Sequence, residues 1–197
     1  MDDLARPLDR REAVARLLAN RDRDLLVVTG LGSPAYDVMA AGDDDRNFYL
    51  WGAMGGAAMV GLGLANAQRE KSVLVVTGDG EAMMGLGALA TIAVRKPPNL
   101  SIVVLDNGRF GETGMQASHT GLGVEIDKVA ASLGFGWTQA VADMAGLDAL
   151  RSKIMARAGA GLAVVRIKAE NPPRVLPPRD GVHLKTRFRA ALGLPVN

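Results

Sequence analysis

Short apolar, β-branched runs alternate along this chain with amphipathic or small-residue stretches. Residues 24–30 (DLLVVTG), 47–52 (NFYLWG), 72–78 (SVLVVTG), 100–106 (LSIVVLD) and 162–169 (LAVVRIKA) read as strands, most of them apolar on both faces. Between them lie segments of helical period. Residues 55–67 are small and apolar almost throughout, as a helix packed closely on a sheet requires, and 81–95 run until Pro97 and Pro98 stop them. Residues 124–134 close on Gly134 and residues 144–159 on Gly159. Strands buried on both faces and alternating with helices predict an α/β, three-layer αβα sandwich around a mainly parallel sheet.

Composition narrows the class. With 197 residues, the chain is long enough for one well-buried core and short for two. The formal charge of +2 and the mixing of signs give no nucleic-acid footprint. The absence of cysteine excludes disulfides, thiolate catalysis and sulfur-ligated zinc. The start, MDDLARPLDRREAVARLL, is acidic and then a charged helix, unlike a signal peptide, and no apolar run reaches the roughly 18 residues of a membrane span. A cytoplasmic location, with neither membrane nor nucleic acid as partner, is expected. Residues 1–170 read as one domain, and residues 171–197 as a proline-rich connector and a short basic helix.

Two polar triplets carry the candidate chemistry. Gly78-Asp79-Gly80 follows one strand and Asp106-Asn107-Gly108 follows the next, with a helix between them. In a parallel sheet, ligands collect at the carboxyl ends of strands, where helix N-termini direct N–H groups outward. The glycines allow a backbone to approach a phosphate, but Asp79 would repel it unless a divalent cation lies between them. Mg²⁺ prefers hard oxygen ligands and bridges carboxylates to phosphates. The Asn107 amide oxygen, and a backbone carbonyl turned by Gly108, would complete its shell.

This pattern resembles the diphosphate-binding (PP) domain of thiamine-diphosphate enzymes, with the two-subunit and fused 2-oxo acid decarboxylases that act on sulfonated and phosphonated pyruvates as the nearest models. The resemblance implies thiamine diphosphate and Mg²⁺ as cofactors. Asp79, Asn107 and the Arg109 carbonyl would hold the metal. Gly78, Gly80, Glu81, Phe110 and Gly111 would lie against the diphosphate, with Glu81 contributing its backbone. The loop WGAMGG would place Gly52, Ala53 and Met54 at the cofactor rings: the Gly52 carbonyl on the amino group and Met54 as the wedge that folds the cofactor into a V. Relatives commonly have Asn where this chain has Asp106, and Ser or Ala where it has Glu81.

The loop GETGMQASHT would cover the reacting centre. His119 and Glu112 are the acid–base candidates, and Gln116, Ser118 and Thr120 are candidates for a substrate carboxylate or sulfonate. The same family needs a glutamate from a separate pyrimidine-binding (PYR) domain, for which the residues before Gly52 are too few. A partner subunit and a hetero-oligomer, α₂β₂ or larger, are therefore expected. The implied reaction is decarboxylation of a small acidic 2-oxo acid to CO₂ and an aldehyde. Carboligation or carbon–carbon cleavage, as in acetolactate synthase-like enzymes, and a non-catalytic cofactor-binding module remain open. A dinucleotide site is disfavoured because GDGEAM lacks the third fingerprint glycine.

Overall fold

A computed structural model describes residues 7–196, so the acidic start, residues 1–6, lies outside the described residues. In chain order the elements are α1 (Arg10–Leu18), β1 (Leu25–Thr29), α2 (Ser33–Ala40), β2 (Asn47–Tyr49), α3 (Ala57–Ala67), β3 (Ser72–Gly78), α4 (Asp79–Met84), α5 (Leu86–Arg95), β4 (Leu100–Asp106), β5 (Arg109–Phe110), β6 (Gln116–Ala117), α6 (Ile126–Leu133), β7 (Trp137–Val141), α7 (Met144–Met155), β8 (Gly161–Arg166) and α8 (Gly181–Ala191). Six strands form one sheet in the order β2-β1-β3-β4-β8-β7, every neighbouring pair parallel; β5 and β6 make a small antiparallel hairpin.

Period-2 alternation along the central strands divides the core in two. Leu25, Val27, Leu74, Val76, Val103 and Leu105 face one side, where they pack with Val14 and Leu17 of α1, Val38 of α2 and Leu147 and Leu150 of α7. Leu26, Val28, Val73, Val75, Ile102 and Val104 face the other, against Leu62 of α3, Ile92 of α5 and Ile126 of α6. On that second face α3 lies close to the sheet, because a Cβ at Gly61 would stand 2.3 Å from Val75 Cγ2. Any larger residue there would lift the helix off β3.

The C-terminal segment folds back onto the sheet. Leu184 and Phe188 of α8 join the two opposite core clusters, so the helix straddles the edge beyond β2. It is fastened there by a two-point Arg187–Asp43 ion pair (2.7 and 3.0 Å), an edge-to-face Phe188–Phe48 contact and the Trp51 indole N–H donating to the Pro178 carbonyl (3.0 Å). An edge strand left bare would invite pairing with another chain, and α8 covers it. At the opposite edge is β7, which the apolar pattern did not predict: WTQAV is largely half-buried and carries a polar face.

Several boundaries differ from those expected. The helix over 81–95 is two helices, α4 and α5, broken at Gly85. The segment 144–159 leaves helical geometry after Met155, and Arg157 takes a left-handed conformation (φ 51°) ahead of Gly159. The helix α2 was not foreseen. Among the described residues no helix is long and apolar enough to cross a membrane.

Candidate active site

Strands β1, β3 and β4 end at Thr29, Gly78 and Asp106, and the segments that leave them converge on a cleft of about 170 Å³ at the carboxyl edge of the sheet. From β3 and α4 come Gly78, Asp79, Gly80 and Glu81; from β4 and the hairpin come Asn107, Arg109, Phe110, Gly111 and Glu112; Met54 reaches in from the loop before α3. Gly52 and Ala53 are exposed next to Met54 and do not line the cleft. A third wall was missed in the sequence: Leu31, Gly32, Ser33 and Pro34 between β1 and α2, with Arg10 of α1 beside them. TGLGSP has the same strand–glycine–helix grammar as GDG, and Pro34 in the first turn of α2 was the available signal.

Asp79 is the centre of the polar network. It is 3% exposed; the Ser118 hydroxyl donates to its Oδ2, and the Thr120 hydroxyl lies 2.9 Å from the same oxygen, its one proton shared between this carboxylate and Asp106. Among the described residues no other side chain bonds Oδ1. Burial raises the Asp79 pKa and the charge of Asp106 adds to the rise, while the two hydroxyls pull it down. A buried carboxylate in this state is one that a cation would neutralise. Ser118 and Thr120, expected to meet substrate, are instead 1% and 6% exposed and spent on this carboxylate.

Asp106 serves a different purpose. Its Oδ1 accepts from the Gly108 N–H (3.0 Å) and stands 2.7 Å from the Thr120 hydroxyl oxygen, which has one proton for it and Asp79 together, and its Oδ2 pairs with Arg166 at 2.6 Å, the residue opposite it on β8. The acid at the end of β4 is thus matched by a cation in register. The loop it pins needs Gly108 in the left-handed region (φ 66°), with the Gly121 backbone so close that a side chain on Gly121 would strike the Gly108 carbonyl. Next to it, the Asn107 Oδ1 accepts the Arg109 N–H at 2.9 Å, which fixes the amide and leaves one lone pair.

Glu81 turns its side chain away from the phosphate side. It is 5% exposed, and its Oε2 accepts from Thr77 Oγ1 (2.8 Å) and the Leu31 N–H (3.1 Å), joining β3 to the β1–α2 loop. Burial raises its pKa against the pull of those donors. Glu112 lines the cleft, with Oε2 on Arg174 (2.8 Å) and Oε1 near the Ser33 hydroxyl (3.3 Å). His119 is not brought in: it is exposed, its ring edge-to-face with Phe110 and outside the cleft lining. Among the described residues the Gln116 side chain bonds only Thr113, within the exposed hairpin.

Residues 36–167 match the family model of the thiamine pyrophosphate enzyme C-terminal TPP binding domain. The chain belongs to that family. This thiamine pyrophosphate enzyme domain is 36% identical over 125 residues to the sulfopyruvate decarboxylase β subunit of Methanocaldococcus jannaschii, the match covering 64% of this chain and 66% of that one. To the phosphonopyruvate decarboxylase of Streptomyces viridochromogenes it is 36% identical over 196 residues, covering 97% of this chain and 48% of the other. The chain thus spans about two thirds of the first relative and about half of the second. The benzoylformate decarboxylase of Polynucleobacter necessarius has the same fold, with a TM-score of 0.70 at 19% identity over 88% of this chain and 35% of that one.

The site fits the cofactor of the family on its own geometry. Among the described residues no three acidic or histidine side chains cluster as a self-sufficient metal cage. Asp79 and Asn107, at adjacent strand tips, both line the cleft and offer it a carboxylate and an amide oxygen, hard donors of the type Mg²⁺ takes.

Proposed function

We propose that this chain is the PP subunit of a thiamine-diphosphate- and Mg²⁺-dependent, cytoplasmic decarboxylase of small acidic 2-oxo acids, releasing CO₂ and an aldehyde. The observation that carries the reading is Asp79: a buried carboxylate with one oxygen fixed by Ser118 and Thr120, facing a cleft that Asn107 also lines. In this reading Asp79, Asn107 and the Arg109 carbonyl hold the metal, and Gly78, Gly80, the Glu81 backbone, Phe110 and Gly111 receive the diphosphate. Gly52 and Ala53 meet the aminopyrimidine, and Met54 wedges between the rings. When bound, the thiazolium supplies the electron sink that lets a 2-oxo acid lose CO₂.

The chain's own residues would orient that group, with Asp79, Asn107 and the Arg109 carbonyl holding the metal that would offset the diphosphate charge. Glu112, which lines the cleft, is the better supported of the two acid–base candidates, since His119 stands outside it. The decarboxylase relatives act on pyruvates that carry a second acid group, by their names, and two of them are β subunits, which supports a separate PYR subunit as partner. That partner would bring the glutamate facing the aminopyrimidine and assemble with this chain as α₂β₂ or larger.

The test is reconstitution. The chain is co-expressed with a PYR-domain chain and supplied with sulfopyruvate, phosphonopyruvate and pyruvate, and CO₂ and aldehyde are measured. Release from an acid-tailed substrate, dependent on both chains and on Mg²⁺, is the expected result. A ligated product without aldehyde, or no CO₂ from any of the three, would overturn the assignment.

A further inference from the structure

Beside the cofactor cleft, and sharing Arg10, Ser33 and Glu112 with its wall, lies a second cavity of about 60 Å³ whose remaining charged walls are Arg11, Asp37 and Arg174. Its charges do not balance. Asp37, fully buried, is spent on two guanidinium groups, Arg10 Nε at 2.7 Å on Oδ2 and Arg11 Nε at 2.7 Å on Oδ1. Glu112 pairs with Arg174. Three arginines against two carboxylates leave one net positive charge in a pocket that opens beside the reacting centre.

The arginines are also poised for an oxyanion. Arg10 is only 5% exposed and lines both the cavity and the cleft; its Nε is the nitrogen on Asp37, and among the described residues its terminal nitrogens have no protein acceptor. Arg174 comes from the irregular connector after β8 and lies over the Tyr36 ring (5.8 Å), which steadies the guanidinium while one of its terminal nitrogens pairs with Glu112. Planar forks of this kind recognise carboxylate, sulfonate and phosphonate groups through paired N–H donors.

We propose that this cavity is the subsite for the second anionic group of the substrate, held between Arg10 and Arg174, with the incoming anion taking the place of Glu112 on Arg174. The inference deepens the decarboxylase reading of the neighbouring cleft and rests on it for the identity of the ligand as a 2-oxo acid. Its chemical content is selectivity. An acid-tailed substrate supplies the acceptor that Arg10 lacks, whereas pyruvate, with a methyl group there, leaves Arg174 on Glu112 and Arg10 unpaired. Sites built to pair a polar group reject analogues without it more strongly than apolar pockets reject a missing methylene. The connector thereby becomes part of the specificity apparatus.

The experiment uses unreactive probes, so that it does not depend on turnover. Sulfoacetate, phosphonoacetate and acetate are titrated calorimetrically into the chain assembled with a PYR-domain chain and loaded with Mg²⁺ and thiamine diphosphate, and again into the same assembly without cofactor. Wild type should hold the two-headed acids at least about tenfold tighter than acetate, the size expected of one charge-assisted hydrogen-bonded pair. Arg174→Gln should remove most of that preference; Arg174 is 62% exposed, so folding is not at stake, and affinity for thiamine diphosphate should stay within about twofold. Arg10→Lys, which keeps a cation beside Asp37, should also weaken it. Glu112→Gln frees Arg174 and should tighten sulfoacetate. Equal affinity of wild type for all three probes, or a preference that survives both arginine variants, would overturn the proposal. If thiamine diphosphate fails to bind while the tail preference persists on the cofactor-free assembly, the decarboxylase reading falls and the anion subsite stands.

Discussion

Glu81 offers a sharp test of the energetics under the cleft. Its carboxylate occupies the space beneath the end of β1, so that a Cβ on Gly30 would come 1.6 Å from Oε2, and that one oxygen accepts both the Thr77 hydroxyl and the Leu31 N–H. Glu81→Ala leaves the buried Thr77 hydroxyl and the part-buried Leu31 N–H without their acceptor, at up to about 1–3 kcal/mol each. The expected loss is up to roughly 2–6 kcal/mol, a large share of a typical total of about 5–15 kcal/mol. Glu81→Gln behaves differently. Its amide oxygen still accepts both donors, and the charge that burial penalises is gone.

The pH dependence separates the two variants further. Burial raises the Glu81 pKa in the folded chain above the ordinary glutamate value of 4.5. The stability tied to the protonated acid is therefore complete below that ordinary value and is lost as pH rises through the raised folded one. Glutamine carries no such loss. Urea denaturation at pH 5 and pH 8 should find Glu81→Gln gaining on wild type at the higher pH, with Glu81→Ala destabilised at both. If Glu81→Gln is as damaging as Glu81→Ala, or its difference from wild type is the same at the two pH values, the view of Glu81 as a buried, charge-averse bolt between β1 and β3 is wrong.

Two further outcomes follow from the same geometry. Ser118→Ala removes one of the two hydroxyls that hold Asp79 Oδ2 and should weaken Mg²⁺-dependent cofactor binding by about tenfold in a fluorescence titration, the usual effect of losing a partner behind a metal ligand, with little change in fold. Arg187→Ala breaks a two-point pair that is only 11% exposed at the arginine, and should cost about 2–3 kcal/mol and speed amide hydrogen exchange along β2, while cofactor affinity is retained.

The parts legible in the sequence were those set by local pattern. Runs such as VLVVT and SIVVL are buried on both faces, which only a covered parallel strand permits, and the polar triplets that follow them had to land at the ligand edge of the sheet. The edge strand β7 escaped because an edge position relaxes the demand for apolar residues, and α2 escaped because its eight residues follow a Gly-Leu-Gly turn with no cap residue to announce them. Other misses were long-range. Nothing local to Ser118 or Thr120 indicates that they fold back some forty positions onto Asp79, nor that Arg166 on the adjacent strand accounts for an acid at 106. His119 drew attention as a histidine in a polar loop, yet the loop turns its ring onto Phe110. Arg10 and Arg174 come from opposite ends of the chain, and their meeting beside Glu112 is visible only in three dimensions.

The central claim is that a divalent cation bridges Asp79 and a diphosphate. Calorimetric titration of thiamine diphosphate into wild type and Asp79→Asn, each assembled with a co-expressed PYR-domain chain and each in Mg²⁺ and in excess EDTA, tests it most directly. Saturable binding by wild type only with Mg²⁺, weakened by more than about 100-fold in the variant, is the predicted result, because even partners behind a metal ligand change affinity 10–100-fold. Binding that ignores the metal, or an Asp79→Asn chain that binds as well as wild type, would contradict it.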